Sequence, residues 1–463
     1  MALAISKSVR GREMLLYQGF EYILRTREAW MNDEKLYWRC RKYLQHKCRS
    51  SMITSGQTVV KEPSEHTHSG DSVQTEANAV IAKIKECAET SRATTRTIIG
   101  DNMSHLSDDV LARMPKKSSI ERQIRRRRQH TEGMQPPPQS RHFAIPDEYL
   151  DVVLYDSGVD DPTRILALGK YELLIYLQSE VWMGDGTFDT SPLIFFQLYT
   201  VHARVGNSYP PCVYFLLPNK TAETYTRMIQ ILKNMNLAVN PSKILLDFEL
   251  AAINSFQSEF PQAQVSGCFF HLNQAVIRKV NELGLKRRYE TDNEFAMLVK
   301  SLPALAFVPV DEVGEIFEEL GASFPDEAEC NALIAYFEST YIHGPRVGGR
   351  VRNPRFEPRL WNHYEDAQVC APKTTNCCEG FHNSLKSLFM CSHPTMWSFF
   401  SGIRKDIGIH RLTLNNALVQ NRERSRNEYI LLANRLADKV RSYWEEADKL
   451  RYLRAIAHMQ VVG

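Results

Sequence analysis

Three acidic residues stand where a folded chain gains little from charge. Asp185 lies inside the apolar stretch "EVWMGDGTF", Asp247 ends the run "KILLD", and Glu379 opens "EGFHNSLKSLF". A carboxylate at the end of a buried strand is costly unless a cation, a hydrogen-bond network or a metal ion partners it. The first two are 62 residues apart and the last two 132, so no local packing unit accounts for all three. Brought together by a sheet, they would suit two divalent cations about 3.5–4 Å apart, the arrangement for in-line displacement at phosphorus. Mg²⁺ or Mn²⁺ is the hard ion such oxygens favour. Taken singly, each Asp also reads as a turn former or helix cap, and "DGT" is itself a good turn. Asp189, four residues after Asp185, is the alternative first acid.

A second constellation lies near the N-terminus. Cys40, Cys48, His66 and His68 occur as C-x7-C-x17-H-x-H. Two thiolates and two imidazoles are the ligand set of a tetrahedral structural Zn²⁺ site. On a strand, His66 and His68 would share a face. A small β-rich unit gains from such a staple. The competing reading is four unrelated side chains in a loop-rich segment, and His46, between the cysteines, reads as a surface residue. A third group is smaller. Cys268 and His271 form a C-x-x-H pair at a strand-to-helix junction, and His382 follows Glu379 by one helical turn. Two ligands do not make a zinc site. These three read as supporting residues that contact the substrate or orient an acid, or as packing.

The elements that must position these residues fall into four stretches. Residues 1–70 hold short β patterns ("FEYILRT", "KLYWRC", "RSSMIT", "TVVK"). Residues 71–140 read as helical and basic, with Ile120 and Ile124 at i,i+4, and end in the Pro-rich linker "MQPPPQS". From 141 to 400 the order is β-β-β-α-β-α-β-α, then a helical insertion over about 291–345, a basic Gly/Pro-rich loop, and a helix over 376–400. Consecutive strands followed by alternation predict an α/β mixed sheet with helices on its faces. Thr221 is the expected N-cap of the helix "TAETYTRMIQILKNM". Residues 401–463 read as a charged helical C-terminal region.

Composition bounds the class. The chain has 463 residues, 43% hydrophobic and 24% charged, and reads as globular with several domains. It has no run of about 18 apolar residues and no secretory pattern, so no membrane partner is expected and the ten cysteines point to a reducing compartment. Residues 1–142 carry 25 Lys and Arg against 16 Asp and Glu, while 143–463 carry 32 against 38. A basic front on a mildly acidic body fits a polyanion.

Four blocks in order, "DGTF", "LLDFELAAINSFQSEFP", "GCFFHLNQAV" and "TTNCCEGFHNSLK", resemble the Mutator-like (MULE) transposase domain across roughly residues 180–400. That resemblance implies an RNase H-like fold and a DDE triad of Asp185, Asp247 and Glu379. The family often has two Asn before the last acid, whereas here Asn376 is followed by Cys377 and Cys378. The first segment, "YQGFEYILRT…LYWRC…C…EHTH", resembles the FLYWCH zinc finger, with Gly19, Tyr22, Trp38 and the four ligands in place. Phosphate contacts are then expected from Arg39, Arg41, Lys42, Lys47 and Arg49, and from Arg125, Arg126, Arg127 and Arg128. The latter run with Lys116 and Lys117 also resembles a two-part nuclear import signal, so the nucleus is the expected location. The function these features imply is a DDE-type transposase acting on double-stranded DNA, at element ends and at the target, as a homo-oligomer. The alternative is a transposase-derived DNA-binding regulator without catalysis. Arg346, Arg350, Arg352, Arg355 and Arg359 are a candidate DNA clamp or a plain basic surface loop.

Overall fold

The computed structural model describes residues 4–7, 13–30, 33–56, 58–90, 95–131, 137–206, 208–235, 239–344, 346–347, 350–420 and 427–459. The chain divides into two compact units, Met1–Pro136 and Pro137–Gly463. Part of the Pro-rich linker, 134–136, lies outside the described residues.

The first unit opens with an antiparallel meander of β1 (Ala4–Lys7), β2 (Glu13–Tyr17), β3 (Phe20–Trp30), β4 (Asp33–Cys40), β5 (Ser51–Ser55) and β6 (Thr58–Lys61), each paired with the next. The β2–β3 link is a two-residue turn in which Gln18 (φ +47°) and Gly19 (φ +77°) both adopt left-handed backbone, the conformation that matches strand twist. Leu15, Tyr22, Trp38 and Met52 form the core of this sheet, and Trp38 Nε1 donates to Thr54 Oγ1 at 2.8 Å. Helices follow at Ser72–Thr90, Thr95–Met103, Asp108–Arg113 and Lys117–Thr131. They pack around Ile84, Ala88, Ile98, Ile120 and Ile124, so the i,i+4 isoleucines are buried as their spacing predicts.

The second unit is built on a seven-stranded sheet of β7 (Val153–Asp156), β8 (Leu166–Gly169), β9 (Val181–Thr187), β10 (Gln197–Ala203), β11 (Pro211–Leu217), β12 (Lys243–Leu246) and β13 (Gln264–Gly267). Their order across the sheet is β13-β12-β9-β10-β11-β8-β7. Strands β12 and β13 run parallel to β9, and the remaining pairs are antiparallel. Helices Ala222–Lys233, Leu250–Glu259 and Phe269–Glu282 follow β11, β12 and β13. Thr221 Oγ1 accepts the Thr224 N–H at 3.3 Å, the cap its position predicts.

Two expectations about this unit need correction. Two short strands, β7 and β8, precede the strand of Asp185, which is therefore not the first of the region. The stretch 376–400 is also not one helix. It breaks after Asn376–Phe389, where Met390 (φ +53°) and His393 (φ +49°) turn left-handed ahead of Pro394, and resumes as Met396–Gln420. Proline cannot extend a helix from its C-terminal side, and a left-handed residue is a common way to end one.

Strand alternation gives the sheet two different faces. Trp182, Tyr199, Val201, Ile244 and Leu246 join the large core with the helices after β11 and β12. Met183 and Leu245 point the other way and meet Cys378 of the helix Asn376–Phe389. On that second face Phe381 packs on the rings of His202 and Tyr214, and Asp406 accepts the Tyr214 hydroxyl at 2.6 Å. The insertion supplies helices Asn293–Ala304, Val313–Ala322 and Ala328–Phe337, all part of the large core. Helix Lys449–Met459 packs on the first of these, with Tyr452 donating to Phe307 O at 2.6 Å. The basic loop contains the hairpin Arg346–Val347/Arg350–Val351. Beyond it, Phe356 meets Phe248 edge to face at 4.9 Å.

Candidate functional site

Parallel pairing brings two of the acids together. Leu246 of β12 lies opposite Gly184 of β9. Continuing that register by one residue sets Asp247 beside Asp185 on neighbouring strands, which run about 4.8 Å apart. Parity puts both on the face of Met183 and Leu245, beneath the helix Asn376–Phe389. On the opposite face Gly184 leaves room for two core side chains, since a Cβ there would stand 2.6 Å from Tyr199 Oη and 2.8 Å from Leu246 Cδ2.

Asp185 is 5% exposed. Burial, and then the Asp247 carboxylate, push its pKa well above the usual range, although Gly186 N–H donates to Oδ1 at 2.9 Å. Glu379 adds to the same repulsion. Asp247 is pushed up to about 6 by burial and by Glu249. Its Oδ1 is buried without a hydrogen-bond partner. Burial also raises Glu379.

The helix carrying Glu379 brings His382 as well, but the histidine serves a different acid. Its Nδ1 is 3.5 Å from Asp185 Oδ2. His271, in the first turn of Phe269–Glu282, places Nε2 3.5 Å from Glu379 Oε1. Burial lowers both histidines to about 4, so each faces its acid as a neutral ring at neutral pH. Cys268 is a buried thiol whose sulfur accepts both the N–H and the hydroxyl of Thr375, each at 3.2 Å. Thr375 immediately precedes the Glu379 helix. The C-x-x-H pair is therefore split between two jobs around one acid, anchoring its helix and facing its carboxylate. Asp189 is exposed and paired with Lys386 Nζ at 2.7 Å, away from the acids on β9 and β12.

Some residues of this site carried no sequence signal. Tyr199 Oη is buried without a partner, and the nearby Asp247, Tyr225, Asp185 and Glu249 add to burial in raising its pKa far. Gln197 donates to Tyr225 Oη, which donates to Glu249 at 3.0 Å. Lys220 is near enough to Asp247 and Glu249 to lower both. The acid at 249, two residues after Asp247, was the one visible hint of this relay.

The N-terminal cluster is tighter. One ligand atom from each of Cys40, Cys48, His66 and His68 lies within 4.8 Å of the others, the one such cluster among the described residues. Asp185, Asp247 and Glu379 do not form a cluster by that measure. Cys40 Sγ is 3.2 Å from His68 Nε2, and Cys48 Sγ is 3.3 Å from His66 Nδ1. Zinc bond lengths put tetrahedral S and N ligands roughly 3.5 Å apart, so the set fits the ion. The other ring nitrogens are also occupied, His68 Nδ1 by Ser69 O at 3.0 Å and His66 Nε2 by Tyr22 Oη at 2.7 Å. Such outer contacts fix tautomer and ring angle. Phe20 stacks on His66 at 3.6 Å. The histidines sit in the loop after β6 rather than on a strand, so this loop, and not strand alternation, brings both to the cysteines.

The expected phosphate contacts divide by partner. Arg41 pairs with Glu21 at 2.5 Å, and Arg39 lies over the Tyr43 ring at 4.2 Å. Lys47 and Arg49 are exposed and Lys42 is half-buried. On the basic helix, Arg125 and Arg126 are exposed, Arg127 pairs with Glu89, and Arg128 Nε donates to Ala88 O at 3.4 Å.

A family model of the MULE transposase domain matches residues 181–275, and one of the FLYWCH zinc finger domain matches residues 5–68. One chain thus carries a FLYWCH zinc finger match at residues 5–68 and, behind it, a MULE transposase domain match at residues 181–275. No curated protein matches the chain significantly. The MULE match contains Asp185, Asp247, Cys268 and His271 and ends before Glu379. The FLYWCH match contains all four ligands, and its Cys2His2 set fits zinc. No helix among the described residues is long and apolar enough to cross a membrane.

Proposed function

We propose that the protein is a DDE-type DNA transposase, which hydrolyses a DNA strand and joins the freed 3′-hydroxyl to target DNA. One observation carries the reading. Asp185 and Asp247 lie side by side on parallel strands, on the sheet face covered by the helix of Glu379. The order β13-β12-β9-β10-β11, with β12 and β13 parallel to β9, supports an RNase H-like fold.

Asp185, Asp247 and Glu379 would hold Mg²⁺ or Mn²⁺. The donors are hard oxygens, and the unpartnered Asp247 Oδ1 is suited to a cation. Two such ions, when bound, supply Lewis-acid stabilisation of the entering and leaving oxygens at phosphorus. The protein's own residues do the remaining work. β9 and β12 fix two carboxylates relative to each other, and Cys268 and Thr375 fix the helix of the third. His271 and His382 orient Glu379 and Asp185 and keep the site partly closed to water. The exposed Lys and Arg of the finger, with Arg125 and Arg126, bind the DNA backbone. Arg352, Arg355 and Arg359 are exposed on the loop whose Phe356 rests on Phe248, next to Asp247, and form a second phosphate surface. Nuclear import through the basic helix and pairing of copies on two element ends belong to the same proposal.

The test is nicking and joining of double-stranded DNA taken from either side of the gene, with Mg²⁺ or Mn²⁺, for wild type and Asp247→Asn. Metal-dependent products lost in the variant, with DNA binding intact, support the transposase. Equal products from the variant overturn the acid assignment. Specific binding without any cleavage by wild type moves the reading to a transposase-derived DNA-binding regulator.

A further inference from the structure

The loop between the two zinc-ligand cysteines has features that ligation does not require. It makes one helical turn, Tyr43–His46, closed by Lys47 at φ +49°. It is held from several sides. Both ends are ligand cysteines, Arg41 N–H donates to Glu21 O at 2.8 Å, and His46 O accepts Thr67 Oγ1 at 3.0 Å. Its crown nevertheless faces solvent. Leu44 is 86% exposed, and Gln45 is exposed beside it.

A lone exposed leucine on a protein surface is ordinary. This one tops a turn braced at both ends, on a loop whose own charged residues, Arg41, Lys42 and Lys47, are all basic, with Arg41 paired to Glu21. From Lys35 to Lys61 the sequence holds seven Lys and Arg and no Asp or Glu. That surface complements a polyanion. An amide and an alkyl group at its crown complement base edges, since Gln pairs with adenine N6 and N7 and apolar groups contact the thymine methyl in the major groove.

We propose that the turn Tyr43–His46 is the sequence-reading element of the finger, with Leu44 and Gln45 on the base edges of an A·T-containing site and Lys42, Lys47 and Arg49 on the flanking phosphates. The proposal rests on the DNA-binding reading of the finger and adds which side chains carry the sequence information. Phosphate contacts position a protein and base contacts specify its site, so the two groups of residues answer to different measurements.

The experiment selects duplexes from a random library with the zinc-loaded full chain, then titrates the enriched duplex and a scrambled one by fluorescence anisotropy at several salt concentrations. Wild type enriches a motif containing A·T pairs. Leu44→Ala/Gln45→Ala binds the scrambled duplex as wild type does and loses at least about fivefold of its preference for the enriched one. Lys42→Ala/Lys47→Ala/Arg49→Ala weakens both duplexes alike and lowers the salt slope by about 2.7. Zinc content verifies that each variant is folded. Gln45→Glu, similar in size but anionic, is the second probe of the crown, and it changes or abolishes the enriched motif. A Leu44→Ala/Gln45→Ala protein that enriches the wild-type motif with undiminished preference overturns the assignment and leaves DNA binding by the finger standing. A wild type that enriches nothing, and binds duplex no better than Cys48→Ala, overturns both.

Discussion

The sulfur of Cys268 accepts two hydrogen bonds from one residue, the N–H and the hydroxyl of Thr375, across 107 positions of sequence. Cys268 N–H in turn donates to Leu246 O at 2.7 Å, one residue before Asp247. The start of the Glu379 helix is thus tied to the end of the Asp247 strand through a single cysteine, by its sulfur on one side and its backbone N–H on the other. Cys268→Ala leaves two Thr375 donors unpaired in a buried place, at about 1–3 kcal/mol for an unsatisfied group. Thermal unfolding of the variant is expected to show that loss, and Cys268→Ser to recover part of it. A zinc-selective chelator is expected to leave the melting of residues 137–463 unchanged, as it should if Cys268 anchors a helix instead of ligating zinc.

Asp247 gives a pH prediction. In the folded chain its carboxyl titrates near 6, against an ordinary value of 3.8. Between those values the unfolded state has released a proton that the folded state keeps. Stability of the metal-free protein therefore falls as pH rises from about 4 to 6. Asp247→Asn removes that contribution to the slope and stabilises the metal-free form at pH 7 by at most about 3 kcal/mol, while abolishing cleavage. Mg²⁺ raises the melting temperature of wild type at pH 7 and not that of the variant. Calorimetry with and without the ion decides it; a variant that still responds to Mg²⁺ would show that the ion is held elsewhere.

Zinc removal should divide the protein. Chelation, or Cys48→Ala, is expected to melt the strands of residues 1–70 and to abolish DNA binding by that segment, because ligation energy is folding energy in so small a unit. Hydrogen exchange should show protection lost in β3, β4 and β5 and kept in β10 and β11. Uniform protection across both would count against the staple.

Gly184→Ala is a test of the strand pairing itself. The new methyl would meet Tyr199 Oη at 2.6 Å and Leu246 Cδ2 at 2.8 Å, and both side chains are buried, so they must shift and press on the β9–β12 pairing. Overpacking of this kind costs about 1–3 kcal/mol. Cleavage is expected to fall further than stability alone explains, since the shift separates Asp185 from Asp247. A variant with wild-type kinetics would mean that the two acids need no fixed spacing.

Much of this was legible because it was local. The Cys and His types, the apolar runs of β9 to β13 and the capped helix after Thr221 are read from short windows. The i,i+4 pair Ile120 and Ile124 likewise declared its buried face. What escaped was non-local. β7 and β8 are four residues each and become strands because β8 pairs with β11's edge and β7 with β8, which nothing within them announces. His66 and His68 reach the cysteines on a loop, whose path depends on Tyr22 and Ser69 as much as on its own residues. Tyr199 looked like any core aromatic, because its place under two acids is set by β9 lying against β10. His382 seemed a companion of Glu379 one turn away, yet its ring contacts Asp185, 197 residues earlier in the chain.

The third acid comes late. A ribosome that has made Asp247 must add 132 more residues before it completes Glu379, roughly 7 to 26 seconds of synthesis. The helix then still has to dock against Cys268. The finger is finished long before. On the proposed reading, the product present during translation, and from any message cut short between those two positions, can hold DNA and cannot cut it. Such truncated chains would occupy element ends as competitors of the full-length enzyme, so an element whose copies decay by premature stops would produce its own brake.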